Sequence, residues 1–391
     1  MKKLLLSALL FGTANLAFAL PRAEAPTTDG DALSHLQEGK SGTIQQILQP
    51  YVDRKEIAGA VSMLSVSGRV DTVYIGLAHP DKGTKYAPDT FFWIASMSKG
   101  FCGAAVMACV DQGLVALDDP IAKFLPAFKD IRVKEKTADG TVTRRPPKVA
   151  PTLRMCLSHV AGFSGMTDNM ASCRSLADIA ADAVASGLVR DPLVQHQYSN
   201  VDIDIAARVV EVVTGLNYAD FLEKTFFKPL KMEEITFFPT DEQLARTTFV
   251  ARVAKDKPYA DGTNDHWAQW LKPSFKHRFV EAGGGLFARA GDVMKFYQML
   301  ANDGCAPDGT RLLSHASILE LARAQYPDKD RYSLGLRQYG DWFGHDGALQ
   351  TEAYANWKEN RVALLFVQVT GDWDLPFKQD WRNATIRGKK P

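Results

Sequence analysis

The sequence predicts an α/β (α+β) fold: an antiparallel sheet flanked by helices, with an all-helical domain inserted into the chain. Two observations support this prediction. Strand-like stretches lie near both ends of the chain, whereas apolar residues recur at helical spacing from about 118 to 250. Because both ends supply strands, we expect 41–117 and 275–391 to build the sheet domain together and 118–274 to form the helical domain.

Residues 1–19 have the pattern of a secretory signal peptide, because Lys2 and Lys3 precede an apolar stretch and the Ala-Phe-Ala sequence at 17–19 is a small-x-small cleavage site. Residues 20–40, with prolines and a glycine among polar side chains, are typical of a disordered leader. After them, no stretch reaches the roughly 18 uninterrupted apolar residues of a membrane span. We therefore expect an exported bacterial protein, periplasmic or secreted, without a membrane span.

The composition of the 391 residues is that of an ordinary globular protein, with 46% hydrophobic and 23% charged residues. The formal net charge of +1 gives no electrostatic basis for binding nucleic acid or an anionic membrane surface. The sequence has no HExxH or CxxC motif and its eight histidines are scattered, so we expect neither a metal site nor a cofactor.

Among the five cysteines, Cys156 and Cys173 are the one candidate disulfide pair. The oligomeric state stays open.

The individual elements follow from local patterns. Residues 59–66 and 70–76 are apolar stretches separated by a Ser-Gly-Arg turn, which predicts a β-hairpin. The apolar stretch that begins at Ser96 predicts a buried helix. Asp119 followed by Pro120 predicts the start of another helix, since aspartate is a preferred N-cap and proline suits the first helical position. Later predictions are a helix capped by Thr152, helices over 202–213 and 293–300, and strands over 332–338, 342–344, 352–357 and 362–369, with 251–280 left unassigned.

The Ser-x-x-Lys motif formed by Ser96 and Lys99 opens the apolar helix. Lys99 is the one charged residue between Asp89 and Asp111, and a lysine in such surroundings tends to lose its proton or to find a partner. The spacing of three places both side chains on one helical face, and a hydroxyl beside a desolvated lysine is an arrangement that activates serine as a nucleophile. The competing interpretation is a chance motif on a solvated helix face, which the apolar surroundings disfavour.

Two further stretches supply residue types that a hydrolase with a lysine-activated serine needs. Tyr198 and Asn200 lie two apart in an extended connection, so a phenol and an amide face the same side; the competing interpretation is a packed tyrosine with an asparagine turn. His345, Gly347 and Ala348 follow an aromatic strand, where glycine lets a ligand approach the backbone and the Ala348 N–H joins that of the serine around an oxyanion. Read by itself, His-Asp-Gly is typical of a hairpin turn.

The order of these motifs resembles that of the penicillin-recognising serine hydrolases, in the branch that uses Tyr-x-Asn as its second motif. That branch holds class C β-lactamases, D-alanyl-D-alanine carboxypeptidases, D-amino-acid amidases and β-lactamase-like esterases. The resemblance implies a β-lactamase/transpeptidase-like fold and acyl transfer through a serine. It extends over most of the chain through further landmarks at 89–91, 117–120, 124–126, 152–154, 157–159, 162–163, 227–230 and 282–286.

The resemblance also implies a role for each motif residue. Ser96 is the acylated nucleophile, and Lys99 is its proton acceptor or the lysine that lowers the pKa of Tyr198. Tyr198 carries the proton to the leaving group, and Asn200 holds the substrate carbonyl or the Lys99 side chain. His159 lies in a stretch that is structural in the family. Whether Lys99 or Tyr198 is the general base stays open at this point.

One departure from the family pattern bears on the substrate. His345 stands on the substrate-binding side where relatives that bind a substrate carboxylate usually have lysine, and a mostly neutral imidazole anchors an anion weakly. Asp346 adds negative charge where β-lactamases usually have threonine or serine. We therefore predict an exported serine hydrolase that cleaves an ester or amide of a small molecule or peptide, of the esterase or D-amino-acid peptidase/amidase type. The alternatives are a D-alanyl-D-alanine carboxypeptidase or β-lactamase and, outside enzymes, a non-catalytic penicillin-binding sensor module.

Overall fold

The structure, a computed structural model, describes residues 40–165, 167–274, 279–326 and 331–387. The predicted signal peptide (1–19) and all but the last residue of the predicted leader (20–40) lie outside the described residues. From Ser41 onward the described chain forms one compact unit, and its division into a sheet domain and an inserted helical domain stays a prediction. None of the described helices is long and apolar enough to cross a membrane.

The strands of the described chain form one large sheet and smaller ones. The large sheet has seven strands, and every neighbouring pair in it is antiparallel. In chain order the strands are β1 (Gly59–Val66), β2 (Arg69–His79), β3 (Thr84–Lys85), β4 (Phe91–Trp93), β5 (Val133–Lys136), β6 (Val142–Arg145), β7 (Ile235–Thr236), β8 (Ala251–Val253), β9 (Ala260–Asp261), β10 (Phe287–Arg289), β11 (Arg337–Tyr339), β12 (Trp342–Asp346), β13 (Glu352–Asn356), β14 (Arg361–Phe366) and β15 (Val369–Gly371). The order β11-β12-β13-β14-β1-β2-β3 joins early and late parts of the chain in one sheet, which confirms the predicted fold class.

Helices cover both faces of this sheet. Further helices come from the middle of the sequence. The helices are α1 (Lys40–Asp53), α2 (Ser98–Asp111), α3 (Leu153–Leu157), α4 (Leu176–Ser186), α5 (Asn200–Thr214), α6 (Tyr218–Leu222), α7 (Asp241–Ala245), α8 (Ala290–Ala301), α9 (His315–Ala322) and α10 (Pro376–Thr385). The predicted cap at Thr152 is confirmed, because its side chain accepts the Met155 N–H at 3.3 Å.

The large sheet is covered on both faces because its strand residues alternate between two hydrophobic cores. On β14, Val362, Leu364 and Phe366 pack into the core that contains α2 and α8, whereas Ala363 and Leu365 pack into the core that contains α1 and α10. All five side chains are buried. A strand buried on both faces has no solvent side, which is why this stretch of sequence is continuously apolar rather than alternating.

Helix α2 is buried from Ser98 to Cys109, as its apolar sequence predicts. Glycines allow it to lie directly against the segment that precedes β11. A Cβ at Gly103 would collide with the Leu334 carbonyl oxygen, and one at Gly100 would come within 2.6 Å of the Leu336 side chain. The helix begins at Ser98, two residues later than predicted, because Ser96 lies in a 3₁₀ turn before it. Helix α2, which carries Lys99, is therefore fixed in position by backbone as well as side-chain packing.

The helix predicted after Asp119 and Pro120 is wrong in extent. Only a short 3₁₀ turn, Ile121–Lys123, follows the proline, and the aspartate side chain does not cap it. The Asp119 carboxylate instead accepts the Ala116 N–H at 2.8 Å, which closes the preceding turn. Asp119 therefore stabilises the turn that precedes it instead of capping a helix that follows it.

Two predictions for the C-terminal strands also differ from the structure. The stretch 362–369 is divided, because Gln368 has a φ of +58° and a strand does not continue through the left-handed region. After it, β15 leaves the large sheet and pairs in parallel with β8. The strand predicted over 332–338 begins only at Arg337. No disulfide joins Cys156 and Cys173 in the structure, so the candidate disulfide pair is wrong.

Candidate active site

Ser96 lies between β4 and α2, in a turn that the surrounding backbone holds in place. The preceding residue, Ala95, has a φ of +46°, in the left-handed region that non-glycine residues rarely adopt. Ser98 Oγ secures the turn by donating to the Ala95 carbonyl at 2.6 Å and accepting the Leu286 N–H at 3.1 Å. Ala95 and Met97 are buried, while Ser96 is partly exposed. The fold thus fixes this backbone and leaves the Ser96 side chain accessible.

The Lys99 amine is buried beside Ser96 and faces oxygen atoms. Its Nζ lies 3.1 Å from Ser96 Oγ and 2.6 Å from Asn200 Oδ1, and it also donates to the Gly283 carbonyl. Burial lowers the pKa of Lys99 to about 7 and outweighs the attraction of nearby carboxylates. A substantial fraction of Lys99 is therefore uncharged at neutral pH.

These partners fix the direction of the Lys99 lone pair. A carbonyl or amide oxygen only accepts hydrogen bonds, so Asn200 Oδ1 and the Gly283 carbonyl engage two N–H groups of the amine. In the neutral amine, the remaining position toward Ser96 Oγ is the lone pair, and the serine hydroxyl is free to donate to it. Lys99 can therefore accept the Ser96 proton without rearranging its other contacts.

Two carboxyl groups support the residues that hold Lys99. Glu281 Oε1 accepts from Asn200 Nδ2 at 3.3 Å, and Asp204 Oδ1 accepts the Gly283 N–H at 3.1 Å. Burial and the neighbouring Glu281 raise the pKa of Asp204 well above its usual range. Asp204 and Glu281 both raise the pKa of Lys99, but burial of the amine outweighs them. Sequence analysis singled out neither carboxyl, because only the folded chain places them here.

Tyr198 covers the Lys99 amine and contacts Ser96. Lys99 Nζ lies 4.5 Å from the centroid of the Tyr198 ring. The Tyr198 hydroxyl also hydrogen-bonds with the Ser96 side chain. Burial raises the pKa of Tyr198 above its usual value, so the phenol keeps its proton at neutral pH. An uncharged phenol beside the nucleophile is suited to donating a proton.

The N-terminal cap of α5 explains the spacing of Tyr198 and Asn200. Between them, Ser199 Oγ accepts the Asp202 N–H at 3.2 Å and caps the helix. Tyr198 precedes the helix but Asn200 is its first residue, so the prediction that both lie in an extended connection is wrong for Asn200. His159 Nδ1 accepts the Ser199 N–H at 3.3 Å and so helps to hold this cap residue in place. Burial lowers the pKa of His159 well below its usual value. The contacts of this neutral histidine fit the structural role that the family resemblance implies.

Gly347 and Ala348 lie close to the backbone that carries Ser96. A Cβ at Gly347 would collide with the Ile94 carbonyl oxygen, so glycine permits this close approach. Ala348 packs against the same apolar cluster that contains Ala95. Within the described part of the chain, neither the Ser96 N–H nor the Ala348 N–H donates to a protein acceptor. These two amides are a candidate oxyanion hole.

His345 is buried at the end of β12, and both of its ring nitrogens are bonded within the protein. Nδ1 donates to the Asp346 carbonyl at 2.6 Å, and Nε2 then accepts from the Tyr332 hydroxyl at 2.9 Å. Burial lowers the pKa of His345 well below its usual value. Its ring centroid is 6.1 Å from that of Tyr198. That His345 touches substrate stays a prediction; in the structure it supports Tyr332.

Arg337 brings a positive charge to the site, although no sequence motif pointed to it. Its guanidinium carbon lies 5.9 Å from the centroid of the Tyr198 ring and 5.5 Å from that of Tyr332. Its Nε is 3.5 Å from Asp346 Oδ1, so a carboxylate partly offsets the charge. The register of β11 on β12, which pairs Arg337 with Gly344, is the feature that places it here. Strand register between short strands is not readable from this sequence.

The described residues thus bring together a serine hydroxyl, a lysine amine, a phenol and two amides. This set can form and break an acyl ester without a bound cofactor. Over the described ranges there is no group of three or more His, Cys, Asp or Glu side chains that could hold a metal ion.

Comparisons with known proteins agree with this geometry. The family described as Beta-lactamase matches residues 44–384. The chain is 29% identical over 306 residues to penicillin-binding protein 4 of Amycolatopsis lactamdurans, an alignment that covers 75% of each protein. It is 27% identical over 307 residues to protein Rv1367c of Mycobacterium tuberculosis, which covers 75% of this chain and 73% of that protein.

Solved structures share the fold. Simvastatin synthase (LovD) from Aspergillus terreus superposes with a TM-score of 0.71 at 20% identity, over 88% of this chain and 97% of that one. EstCE1, a hydrolase with promiscuous acyltransferase activity, gives a TM-score of 0.69 at 18% identity, over 88% of this chain and 98% of that one. At these identities the likeness shows the fold alone, and it confirms the β-lactamase/transpeptidase-like prediction.

Proposed function

The chain belongs to the Beta-lactamase family of serine hydrolases, and we propose that it cleaves an ester or an amide through an acyl-enzyme on Ser96. One observation carries this proposal: the side chains of Ser96, Lys99, Tyr198 and Asn200 meet in one contact network. We also propose that the protein is exported to the periplasm or secreted, which the signal-peptide pattern of residues 1–19 supports.

Lys99 accepts the proton in the acylation step. Its pKa of about 7 provides the neutral amine, and its lone pair faces the Ser96 hydroxyl. Ser96 Oγ forms a bond to the substrate carbonyl carbon, its proton passes to Lys99 Nζ, and the electron pair of the C=O π bond moves onto the oxygen. The raised pKa of Tyr198 disfavours a phenolate, so the geometry favours Lys99 over Tyr198 as the general base.

Tyr198 donates the proton to the leaving group. When the tetrahedral intermediate collapses, the bond from the carbonyl carbon to the leaving oxygen or nitrogen breaks, and that atom takes the phenol proton. The Lys99 ammonium restores the proton to Tyr198. Water then attacks the Ser96 ester with the proton transfers reversed, and the bond to Ser96 Oγ breaks to release the acid.

The Ser96 and Ala348 amides stabilise the negative oxygen of the intermediate. Fixed backbone donors are effective because they need no reorganisation as the charge develops, and loss of one such donor lowers kcat by about 10²–10³-fold in other hydrolases. The position of Gly347 against Ile94 supports this assignment, because it holds the Ala348 segment close to the nucleophile.

The region of His345 and Asp346 favours substrates that need no strong anchor for a carboxylate. His345 is uncharged, and Asp346 places a negative charge next to it. We therefore favour an esterase or D-amino-acid amidase or peptidase over a β-lactamase.

A second candidate is a D-alanyl-D-alanine carboxypeptidase, which Arg337 favours. A guanidinium near Tyr198 suits a terminal carboxylate, although Asp346 competes for it at 3.5 Å. Arg337→Met separates the two candidates. It would reduce cleavage of D-alanyl-D-alanine peptides by about tenfold or more if the arginine binds the carboxylate, and would change ester hydrolysis little.

The test of the proposed function compares the wild type with Ser96→Ala on p-nitrophenyl acetate, D-alanine amide and nitrocefin. We expect ester or amide turnover that exceeds nitrocefin turnover, an acyl adduct on intact protein after rapid acid quench, and loss of both in the variant. Ser67→Ala, in the exposed β1–β2 turn, is the control and should keep full activity. Turnover that persists in Ser96→Ala, or no acyl adduct with any substrate, contradicts the proposal.

A further inference from the structure

Three tryptophans lie together beside the proposed active site; we call Trp93, Trp267 and Trp270 the tryptophan cluster. The Trp270 ring stacks on Trp93 with a centroid distance of 4.6 Å and 7° between the ring planes. Trp267 adds a tilted contact with Trp93 at 6.1 Å. Two of the three come from the stretch 251–280, which sequence patterns left unassigned.

The cluster adjoins both proposed oxyanion amides. Trp93 precedes Ser96 by three residues and packs in one apolar cluster with Ala95. Trp270 and Ala348 both pack against that same cluster. Trp93, Trp270 and the residues that carry or adjoin the two amides therefore share one apolar cluster.

Two consecutive carbonyls connect the tryptophan cluster to the general base. The Trp93 indole N–H donates to the Gly284 carbonyl at 2.7 Å. The adjacent Gly283 carbonyl accepts from Lys99. The same short backbone segment thus holds both the Trp93 indole and the Lys99 amine.

Exposure distinguishes this cluster from ordinary core packing. Trp93 is 2% exposed, whereas Trp267 is 43% exposed, and Trp270 is partly exposed. Large rings that serve only the core are normally buried, and exposed aromatic surface next to a reactive serine is typical of a ligand-binding wall.

The direction of proton transfer determines which part of a substrate meets this wall. The leaving group must face Tyr198 to receive its proton, and the carbonyl oxygen faces the two amides. In a tetrahedral intermediate the acyl substituent takes the remaining direction, away from Tyr198. Trp270 packs against the same apolar cluster as Ala348, so its partly exposed ring supplies apolar surface near that amide.

We propose that the tryptophan cluster binds the acyl portion of the substrate and that the natural substrate carries an apolar acyl group larger than acetyl. This inference rests on the proposed acyl-enzyme at Ser96. Burial of each added methylene against Trp270 and Trp267 stabilises the transition state, so specificity increases with acyl size.

The experiment measures kcat/KM for p-nitrophenyl acetate and p-nitrophenyl hexanoate, which share one leaving group. We expect the wild type to prefer hexanoate by about tenfold or more. Trp270→Ala should lose about tenfold on hexanoate and less than about twofold on acetate, and Trp270→Phe should recover most of the loss because it keeps a stacking ring. Trp267→Ala should show a smaller loss with the same selectivity.

Trp357→Ala is the matched control. This tryptophan is also partly exposed, but it contacts His315 with a centroid distance of 5.4 Å and follows β13, away from the site. Its loss should affect both esters equally. Because the acetate rate reports folding and catalysis, a variant that fails to fold is recognised by loss on both substrates.

Two results overturn the inference. One is a wild type that prefers acetate to hexanoate; the other is a folded Trp267→Ala or Trp270→Ala that lowers both rates equally. If instead no ester acylates Ser96, the proposed function itself fails. The acetate reaction of the wild type therefore separates the two failures.

Discussion

Lys99 and Lys378 are both buried lysines in this protein, yet their surroundings differ in kind. Lys99 contacts neutral oxygen acceptors and a serine hydroxyl, and burial lowers its pKa to about 7. Lys378 lies 2% exposed in α10, near the buried carboxylate of Glu352 and the guanidinium of Arg382. Its pKa is also lowered by burial. Burial and a perturbed pKa are thus common to both regions.

The difference between the two regions lies in what each lysine can act on. Lys99 faces the partly exposed Ser96, whereas Lys378 lies in a charged network whose members pair with one another. In that network Arg382 Nε donates to Glu352 Oε2 at 2.7 Å, and Tyr354 donates to the same oxygen at 3.1 Å. A titratable group with a shifted pKa indicates a catalytic site only when it contacts a reactive group that a substrate can reach.

The comparison is tested most severely by removing each amine in turn. Lys99→Met should lower kcat/KM for a good ester by about 10⁴-fold or more, because Ser96 loses its proton acceptor. Lys378→Met should change it by less than about threefold, since that lysine contacts no reacting atom. Steady-state kinetics with circular dichroism as a folding control measures both. Comparable losses in the two variants would show that burial alone, not contact with the serine, accounts for the effect.

The charged network should matter for stability rather than for catalysis. Arg382→Met leaves the buried Glu352 carboxylate without the guanidinium that donates to it, and we expect a loss of about 3–5 kcal/mol in the free energy of unfolding. Arg361→Met is the matched control, because its side chain has similar exposure, 23% against 21%, but its partner Glu359 is 53% exposed. The control should cost about 1 kcal/mol or less. Urea unfolding followed by fluorescence decides whether the two differ.

Removing the phenol beside Lys99 should have an effect that depends on the leaving group. Tyr198→Phe should lower kcat/KM, which reports acylation up to release of the leaving group, by about 10²–10⁴-fold for an amide, because the departing nitrogen needs a proton. The loss with p-nitrophenyl acetate should be much smaller, since p-nitrophenolate leaves without protonation. Equal losses for both substrates would assign Tyr198 to the first proton transfer and so reverse the roles proposed for it and Lys99.

The pH dependence gives the smallest but most specific effect. Only the neutral form of Lys99 accepts a proton, and its folded pKa is about 7. We therefore expect kcat/KM to fall about tenfold per pH unit below that value and to level off above it. Lys378→Met should leave this inflection in place. An inflection that moves with Lys378, or one near the usual lysine value, would contradict the assignment.

Local sequence patterns were sufficient for parts of the fold and the site. The hairpin of β1 and β2 follows from two apolar stretches and a glycine-containing turn, and the pairing is as predicted. The helix spacing of Ser96 and Lys99 places their side chains in contact, since residues three apart share a helical face. Asp119 shows the limit of such signals. Its side chain can cap a helix that follows it or accept a backbone N–H in the turn that precedes it, and the sequence does not distinguish the two.

The sequence by itself determined the buried helix and the Ser-x-x-Lys contact, because each depends on residues within a few positions of one another. Only the tertiary structure decided the charge states and the walls of the site. Asp204, Glu281 and Arg337 reach it from distant parts of the chain. The lowered pKa of Lys99 likewise arises from the packing that excludes water around it, and that packing exists only once the remote segments meet.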